Sequence, residues 1–307
     1  MRLDGGREGW YTDGMIDTVE LMRKVGNLRI LTTRKVDDRL TGEYHSVFKG
    51  QGVEFDEVRG YVPGDDVRSI DWNVTARTGY PHVKRYSEER ELTVLFMVDV
   101  SGSQSCGSRR RSKHELAAEL SCLLALTSVR NQDKIGLILF SDKIVKYLAP
   151  KKGRTAVMRL VREVLAADDA EGRTDIAAAL AFLHGVQKRK AVVFLISDFL
   201  DSGYEKQLQV TAKKHDMVCC HLSDPSERAL PDTGLIALQD PETGATLWVD
   251  TASAAVRAAF DRRASDERAA LEGFFRRSKI DPLWLSTDAE AIDEVRTLFR
   301  RRAIRRR

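Results

Sequence analysis

LTVLFMVDVSGS, residues 92–103, decides how this sequence is read. Its first seven positions are almost unbroken apolar residues, the pattern of a strand covered on both faces. It ends in Asp99-Val100-Ser101-Gly102-Ser103, a D-x-S-x-S run of one carboxylate and two hydroxyls. In an open parallel sheet, ligands gather at the carboxyl ends of the strands, where these residues would stand.

Working downstream, strand and helix patterns alternate. Ser112-Lys113-His114-Glu115 spells a capping box opening a helix over 113–130. Strands follow at 134–140 and, as an edge, at 144–148, then helices near 155–166 and 175–186. A strand at 191–196, a helix near 204–215 and a strand at 217–222 come next. Segments 234–239 and 246–250 flank Pro241-Glu242-Thr243-Gly244 and read as a hairpin. A long helix over 252–278, a short strand at 283–285 and a terminal helix complete the series. This alternation predicts an α/β fold, doubly wound, with a mainly parallel sheet and helices on both faces.

Upstream the texture differs. Ile16, Val19, Leu21, Met22, Val25 and Leu28 recur at helical spacing, predicting one helix near 15–31. From Glu43 to Glu91, glycines and prolines punctuate short β-prone pieces such as 83–86. Three units are therefore expected: a helical extension over 1–42, a small β-prone segment over 43–91 packed on the next domain, and the α/β domain itself over 92–307.

Two further segments carry chemistry: Gly172-Arg173-Thr174-Asp175 before a helix, and Ser197-Asp198-Phe199 at a strand end. Taken singly, Ser101, Ser103, Thr174, Asp175 and Asp198 are ordinary helix-cap and turn residues. Together, at the strand ends of one sheet, they point to a common site.

In order and spacing, these three segments resemble the metal-ion-dependent adhesion site of von Willebrand factor A domains. The resemblance extends over most of 92–285 and includes IGLILFSD at 135–142. It implies a Mg²⁺ site (Mn²⁺ being the alternative) formed by Asp99, Ser101, Ser103, Thr174 and Asp198. Mg²⁺ is a hard ion that takes six oxygens in octahedral geometry. The hydroxyls supply neutral oxygens and the two aspartates supply charge. By resemblance the carboxylates often act through water, leaving an exchangeable position for an Asp or Glu of a partner protein.

A second resemblance lies in residues 50–91, GQGVEFDEVRGYVPGDDVRSIDWNVTARTGYPHVKRYSEERE. The series Arg-Gly-Tyr, Pro-Gly-Asp-Asp and Ile-Asp-Trp is similar to bacterial domain-of-unknown-function family fifty-eight, whose members precede a von Willebrand A-like domain with it. That family's association with MoxR-type AAA+ ATPases implies an adaptor or chaperone-like role beside such an ATPase or its client. Arg59, Asp65, Asp66, Arg68, Asp71, Trp72 and Arg77 have two readings: a docking surface for the ATPase, or a salt-bridged strap with Trp72 filling the gap to the sheet.

Other functions fit less well. A haloacid-dehalogenase phosphatase needs a second Asp where Ser101 stands, and no G-x-S-x-G frames a serine nucleophile. There is no H-E-x-x-H, no phosphate loop and no complete dinucleotide fingerprint, so the chain is expected not to be an enzyme. A metal-dependent hydrolase remains the disfavoured rival. The net charge of +4 is concentrated in Arg300, Arg301, Arg302, Arg305, Arg306 and Arg307. That cluster either touches nucleic acid or an acidic surface, or ends a helix where cations suit the dipole. The helix reading is preferred, because no aromatic side chain interleaves the last arginines to stack on bases. Cys106, Cys122, Cys219 and Cys220 form no C-x-x-C pair and read as free thiols. With no spanning segment and no leader pattern, a cytoplasmic location is expected.

Overall fold

A computed structural model describes residues 18–48, 53–88, 91–105, 111–167, 173–239 and 245–305. The start of the first expected helix, Cys106, Gly172, the turn 241–244, Arg306 and Arg307 lie outside them. In chain order the elements are α1 (Thr18–Lys35), α2 (Asp38–Phe48), β1 (Val53–Gly60), α3 (Trp72–Thr78) and β2 (His82–Glu88). There follow β3 (Thr93–Asp99), α4 (Lys113–Arg130), β4 (Lys134–Phe140), β5 (Ile144–Lys151), α5 (Arg154–Ala166) and α6 (Ile176–Val186). Then come β6 (Val192–Ser197), α7 (Glu205–Lys214), β7 (Asp216–Ser223), β8 (Leu235–Gln239), β9 (Thr246–Asp250), α8 (Ala254–Arg277), β10 (Asp281–Ser286) and α9 (Ala291–Arg305).

Six strands make the central sheet in the order β10-β7-β6-β3-β4-β5, parallel except for the antiparallel edge strand β5. The chain starts the sheet at β3, moves to β4 and β5, then crosses back to β6 on the other side. The switch point therefore lies between β3 and β6, the strands that end at Asp99 and just before Asp198. This is the α/β class expected from the sequence.

Alternate residues of β3 feed two separate cores. Val94, Phe96 and Val98 face α2, α4, α5 and α9, whereas Leu95 and Met97 face α6, α7 and the end of α8. Cys219 and Cys220 are buried on opposite faces in the same way, as adjacent residues of a strand must be. Gly136 is needed where β4 meets its neighbours, because a Cβ there would sit 2.7 Å from Leu95 Cδ2 and 2.9 Å from Leu148 O. The α4 helix is buried nearly all round, and its expected capping box is present: Glu115 N donates to Ser112 Oγ and Ser112 N to Glu115 Oε2.

The N-terminal part departs from expectation. α2 crosses the boundary drawn between 42 and 43, and its buried Leu40, Tyr44, Val47 and Phe48 belong to the main core. Tyr44 Oη donates to Asp133 Oδ2 at 2.9 Å, and Asp133 Oδ1 accepts from Leu92 N at 3.0 Å. Gly42 and the β-branched Thr41 give the segment little intrinsic helix preference, so burial decides its conformation.

The β-prone segment contains a strand over the expected piece 83–86, β2, paired antiparallel with β1, but also the short helix α3. Asp71 caps that helix through Asn73 N and Val74 N, and Gly79 ends it at φ +74°. Trp72 opens α3 and is 69% exposed, so it does not fill a gap against the sheet as the strap reading required.

The C-terminal arginines have structural partners. Arg302 is buried and bonds Asp281 Oδ2 at 2.7 Å and Asp216 Oδ1 at 2.8 Å. Arg305 also grips Asp281, and Arg301 donates to Pro282 O. Among the described residues the cluster is thus largely the end of α9 bound to its own sheet. No helix among the described residues is long and apolar enough to cross a membrane.

Candidate metal centre

Asp99 is the last residue of β3 and is buried. Its Oδ1 accepts from Ser101 N at 3.0 Å, which folds the next residues into a turn that brings both serines back over the strand end. Its Oδ2 accepts from Ser197 Oγ at 2.7 Å and from Thr174 Oγ1 at 3.3 Å. Ser101 Oγ lies 3.1 Å from Ser103 Oγ and accepts from Thr174 Oγ1 at 2.8 Å. Three hydroxyls from two loops therefore meet beside one carboxylate.

The loop before α6 divides the labour between neighbours. Asp175 Oδ1 accepts from Ala178 N and Asp201 Oδ2 accepts from Ile176 N, so both carboxylates cap α6. Asp175 N donates to Ser141 O, which fastens the loop to the end of β4. With the cap supplied by Asp175, Thr174 is free to turn toward Ser101. The helix-cap alternative holds for Asp175 and not for Thr174.

Asp198 follows β6 and faces the same end of the sheet. Its Oδ2 accepts from Lys113 Nζ at 2.7 Å, and Lys113 also donates to Glu227 Oε1 at 2.6 Å. Lys113 is 1% exposed. Burial alone would push this ammonium down, but Asp198 and Glu227 together outweigh it and hold it above its usual range. Phe199, next in sequence, is a buried residue in the left-handed region at φ +58°, with its N–H on Ser197 Oγ.

Among the described residues no ion pair reaches Asp99. Its burial, and secondarily the Asp198 carboxylate, push its acid up to about 6. Lys113, Ser197, Gln104 and Glu227 were not anticipated as site residues. Ser197 stood inside a quoted motif; Lys113 read only as an interior position of a capping box, and nothing in the sequence linked it to Asp198 or Glu227.

The donors fit a small hard cation. Metal–oxygen bonds of 2.0–2.1 Å at right angles set neighbouring oxygens about 2.8–3.0 Å apart, close to the Ser101–Thr174 and Ser101–Ser103 spacings. Gln104 Oε1, buried beside Ser103, has no hydrogen-bond partner among the described residues, an acceptor left over at this spot. Among the described residues no group of three His, Cys, Asp or Glu is placed to hold a metal, so hydroxyl oxygen dominates the donor set.

The seven residues singled out in the upstream segment form a separate group. Arg59 makes a two-pronged contact with Asp65, Asp66 accepts from Arg68 N, and Asp71 pairs with Lys84 at 3.4 Å. Arg68, Arg77 and Trp72 are exposed, beside the exposed Val62, Val67 and Tyr80. Their described hydrogen bonds and ion pairs close within residues 59–84 and do not reach the hydroxyl cluster.

The pattern of the family described as "Protein of unknown function DUF58" matches residues 57–270. The chain belongs to that family. A relative, "Uncharacterized protein Rv1480" of Mycobacterium tuberculosis, is 30% identical over 285 residues, covering 92% of this chain and 90% of the relative. "Uncharacterized protein Mb1516" of Mycobacterium bovis matches to the same extent. Among solved structures, BatB of Bacteroides thetaiotaomicron is similar, with TM-score 0.46 and 15% identity, over 69% of this chain and 99% of that one. The SpRpn10 VWA domain is similar with TM-score 0.37 and 8% identity, over 67% and 93%.

Proposed function

We propose that this DUF58 chain is a non-enzymatic protein-binding module whose Mg²⁺ site is completed by an Asp or Glu of its partner. The observation that carries the reading is the meeting of the Ser101, Ser103 and Thr174 hydroxyls within 2.8–3.1 Å, at the switch point of the sheet, beside Asp99. Neutral oxygens outnumber anionic ones, so a bound ion would keep enough positive charge to attract one more carboxylate. In this arrangement Asp99 orients the serine turn and Thr174, while Asp198 adds charge from the neighbouring strand. In the described hydrogen bonds Ser101 Oγ and Ser103 Oγ meet each other, Thr174 and Gln104, a setting that favours holding an ion over activating a serine.

The partner we propose is a MoxR-type AAA+ ATPase or its client, the chain acting as adaptor or co-chaperone in the cytoplasm. The exposed Trp72 and Tyr80 with Arg68 and Arg77 offer a second contact, of the aromatic-and-arginine composition that dominates protein interfaces.

Affinity capture from the native host, run in Mg²⁺ and in EDTA, tests the reading. Wild type should retain its partner only in Mg²⁺, and Asp99→Ala in neither. Thr174→Ala and Asp198→Ala should weaken capture. Equal recovery in both buffers by both wild type and Asp99→Ala would remove the metal centre from recognition. Turnover of ester or phosphate substrates that vanished with Ser101→Ala would replace binding with catalysis.

A further inference from the structure

Lys113 is an awkward residue where it stands. It occupies the first turn of α4, where the helix dipole disfavours a cation, and its side chain is almost fully withdrawn from water. A buried ion pair seldom outperforms a well-packed apolar residue for stability, so packing alone does not account for an ammonium here. What the position does offer is contact with Asp198. The Nζ reaches Asp198 Oδ2 at 2.7 Å and Glu227 Oε1 at 2.6 Å.

Glu227 is fixed from its other side as well. It sits in the turn Pro225–Glu227, and its second oxygen accepts from Asp224 N at 3.0 Å in a small capping box. One ammonium is thus shared between two carboxylates, one of which belongs to the proposed ion site. Without Lys113, Asp198 would keep no ion pair among the described residues.

We propose that Lys113 is a resident counter-cation that competes with the divalent ion for Asp198, and that Glu227 sets the strength of that competition. This rests on the reading of the hydroxyl cluster as a divalent-cation site. Before the ion arrives, Lys113 neutralises Asp198 and keeps the strand ends together. Once the ion is bound, the same charge opposes it. Glu227 draws part of the ammonium's charge away from Asp198 and so favours the ion. The two side chains touch each other, yet removing their charges must move ion affinity in opposite directions.

Calorimetric titration of the full chain with Mn²⁺ alone tests this on wild type, Lys113→Met, Glu227→Gln and Arg228→Met. Arg228 supplies the control: it is an exposed cation of the same neighbourhood, bonded to Ser223 Oγ and not to Asp198. Lys113→Met should bind about tenfold tighter or better, the scale on which a contacting charge acts on a carboxylate. Glu227→Gln should bind about threefold weaker or worse, and Arg228→Met should stay within about twofold of wild type, its charge being more exposed to solvent screening. Equal or weaker binding by Lys113→Met overturns the proposal, as does an equal gain from Arg228→Met. If Lys113→Met does not fold without metal, Glu227→Gln decides: Mn²⁺ binding as tight as wild type overturns the proposal. Binding by wild type that no variant alters sinks this inference alone. No Mn²⁺ binding by any of the four proteins sinks the metal-centre reading with it.

Discussion

Two pairs of aspartates stand at opposite ends of one parallel sheet, each pair on adjacent strands. At the amino ends of β7 and β10, Asp216 and Asp281 are locked by Arg302, which also lies over the Phe48 ring at 4.7 Å, and by Arg305. At the carboxyl ends of β3 and β6, Asp198 shares one lysine with Glu227, and Asp99 has, among the described residues, only hydroxyl and amide donors. The first pair has every oxygen met by a guanidinium and has nothing to offer a ligand. The second keeps negative charge in reserve and surrounds it with exchangeable hydroxyls. Buried carboxylates of the same kind thus serve cohesion in one place and recognition in the other, according to how completely the chain itself neutralises them.

The largest effect should come from the saturated end. Arg302→Met leaves Asp216 and Asp281 without their shared partner and should cost about 3–5 kcal/mol in urea denaturation. Mg²⁺ should restore none of it. A loss below about 1 kcal/mol would show that the arginine is dispensable and would dissolve the contrast.

Acid should distinguish the ends next. His221, on β7, is kept neutral by its burial, which pushes its acid down to about 4; burial does the same to His215. Asp198 favours protonation of His221, but Arg268, Lys113 and Arg228 oppose it. For a depressed folded-state value, the stabilisation is present above the unfolded value near 6.5 and is lost as pH falls through 4. Each imidazole then accounts for about 2–3 kcal/mol. Asp99 and Asp133, both pushed up to about 6 chiefly by burial, run the other way: their contribution is full below about 4 and is lost as pH rises through 6. The difference between wild type and His221→Phe isolates the histidine. Urea midpoints in EDTA should draw together, or cross in favour of His221→Phe, between pH 6.5 and 4. A constant difference would mean that His221 does not titrate there.

Smaller effects on stability belong to the open end and to the exposed segment. Asp99→Asn keeps the shape. At pH 7, relief of the buried charge and loss of the Ser197 and Thr174 hydrogen bonds act in opposite directions. Metal-free stability should therefore move by no more than about 2 kcal/mol. The same change should weaken Mn²⁺ binding at least about tenfold, measured by calorimetry. Trp72→Ala should change the stability read from urea denaturation by no more than about 0.5 kcal/mol, because the indole is exposed. If it nonetheless abolishes partner capture, recognition extends beyond the ion site.

The sheet was legible because strands buried on both faces announce themselves: VLFMV, IGLILF and VVFLI admit few other readings. The hydroxyl cluster was legible because its members close motifs at strand ends. Lys113 was hidden, since its partners Asp198 and Glu227 lie 85 and 114 residues away, and only the fold brings them together. α2 was hidden for a related reason: Leu40, Tyr44, Val47 and Phe48 do follow a helical stripe, but Gly42 and Thr41 dilute it within eleven residues. α3 carried a readable signal, Asp71 as cap and Gly79 as stop, inside a segment whose glycines suggested strand and turn. The arginine cluster does end a helix, as preferred from the sequence, but composition could not show that its central member, Arg302, is an internal counter-ion.

The packing of α2 also orders events in time. Phe48 rests edge-on against Phe299 at 5.6 Å and Tyr44 against the same ring at 5.9 Å, while Arg296 reaches back to Asp37. These partners are separated by about 250 residues of sequence. On a ribosome synthesising roughly 5–20 residues per second, α2 emerges early and waits tens of seconds for the surface that receives it. During that interval α4, Asp133 and Phe194 can cover only part of its apolar stripe, and closing so long a loop is a late and slow step of folding. Truncating the chain before α9 would leave the side of α2 that meets Phe299 uncovered, exposed to chaperones and proteases.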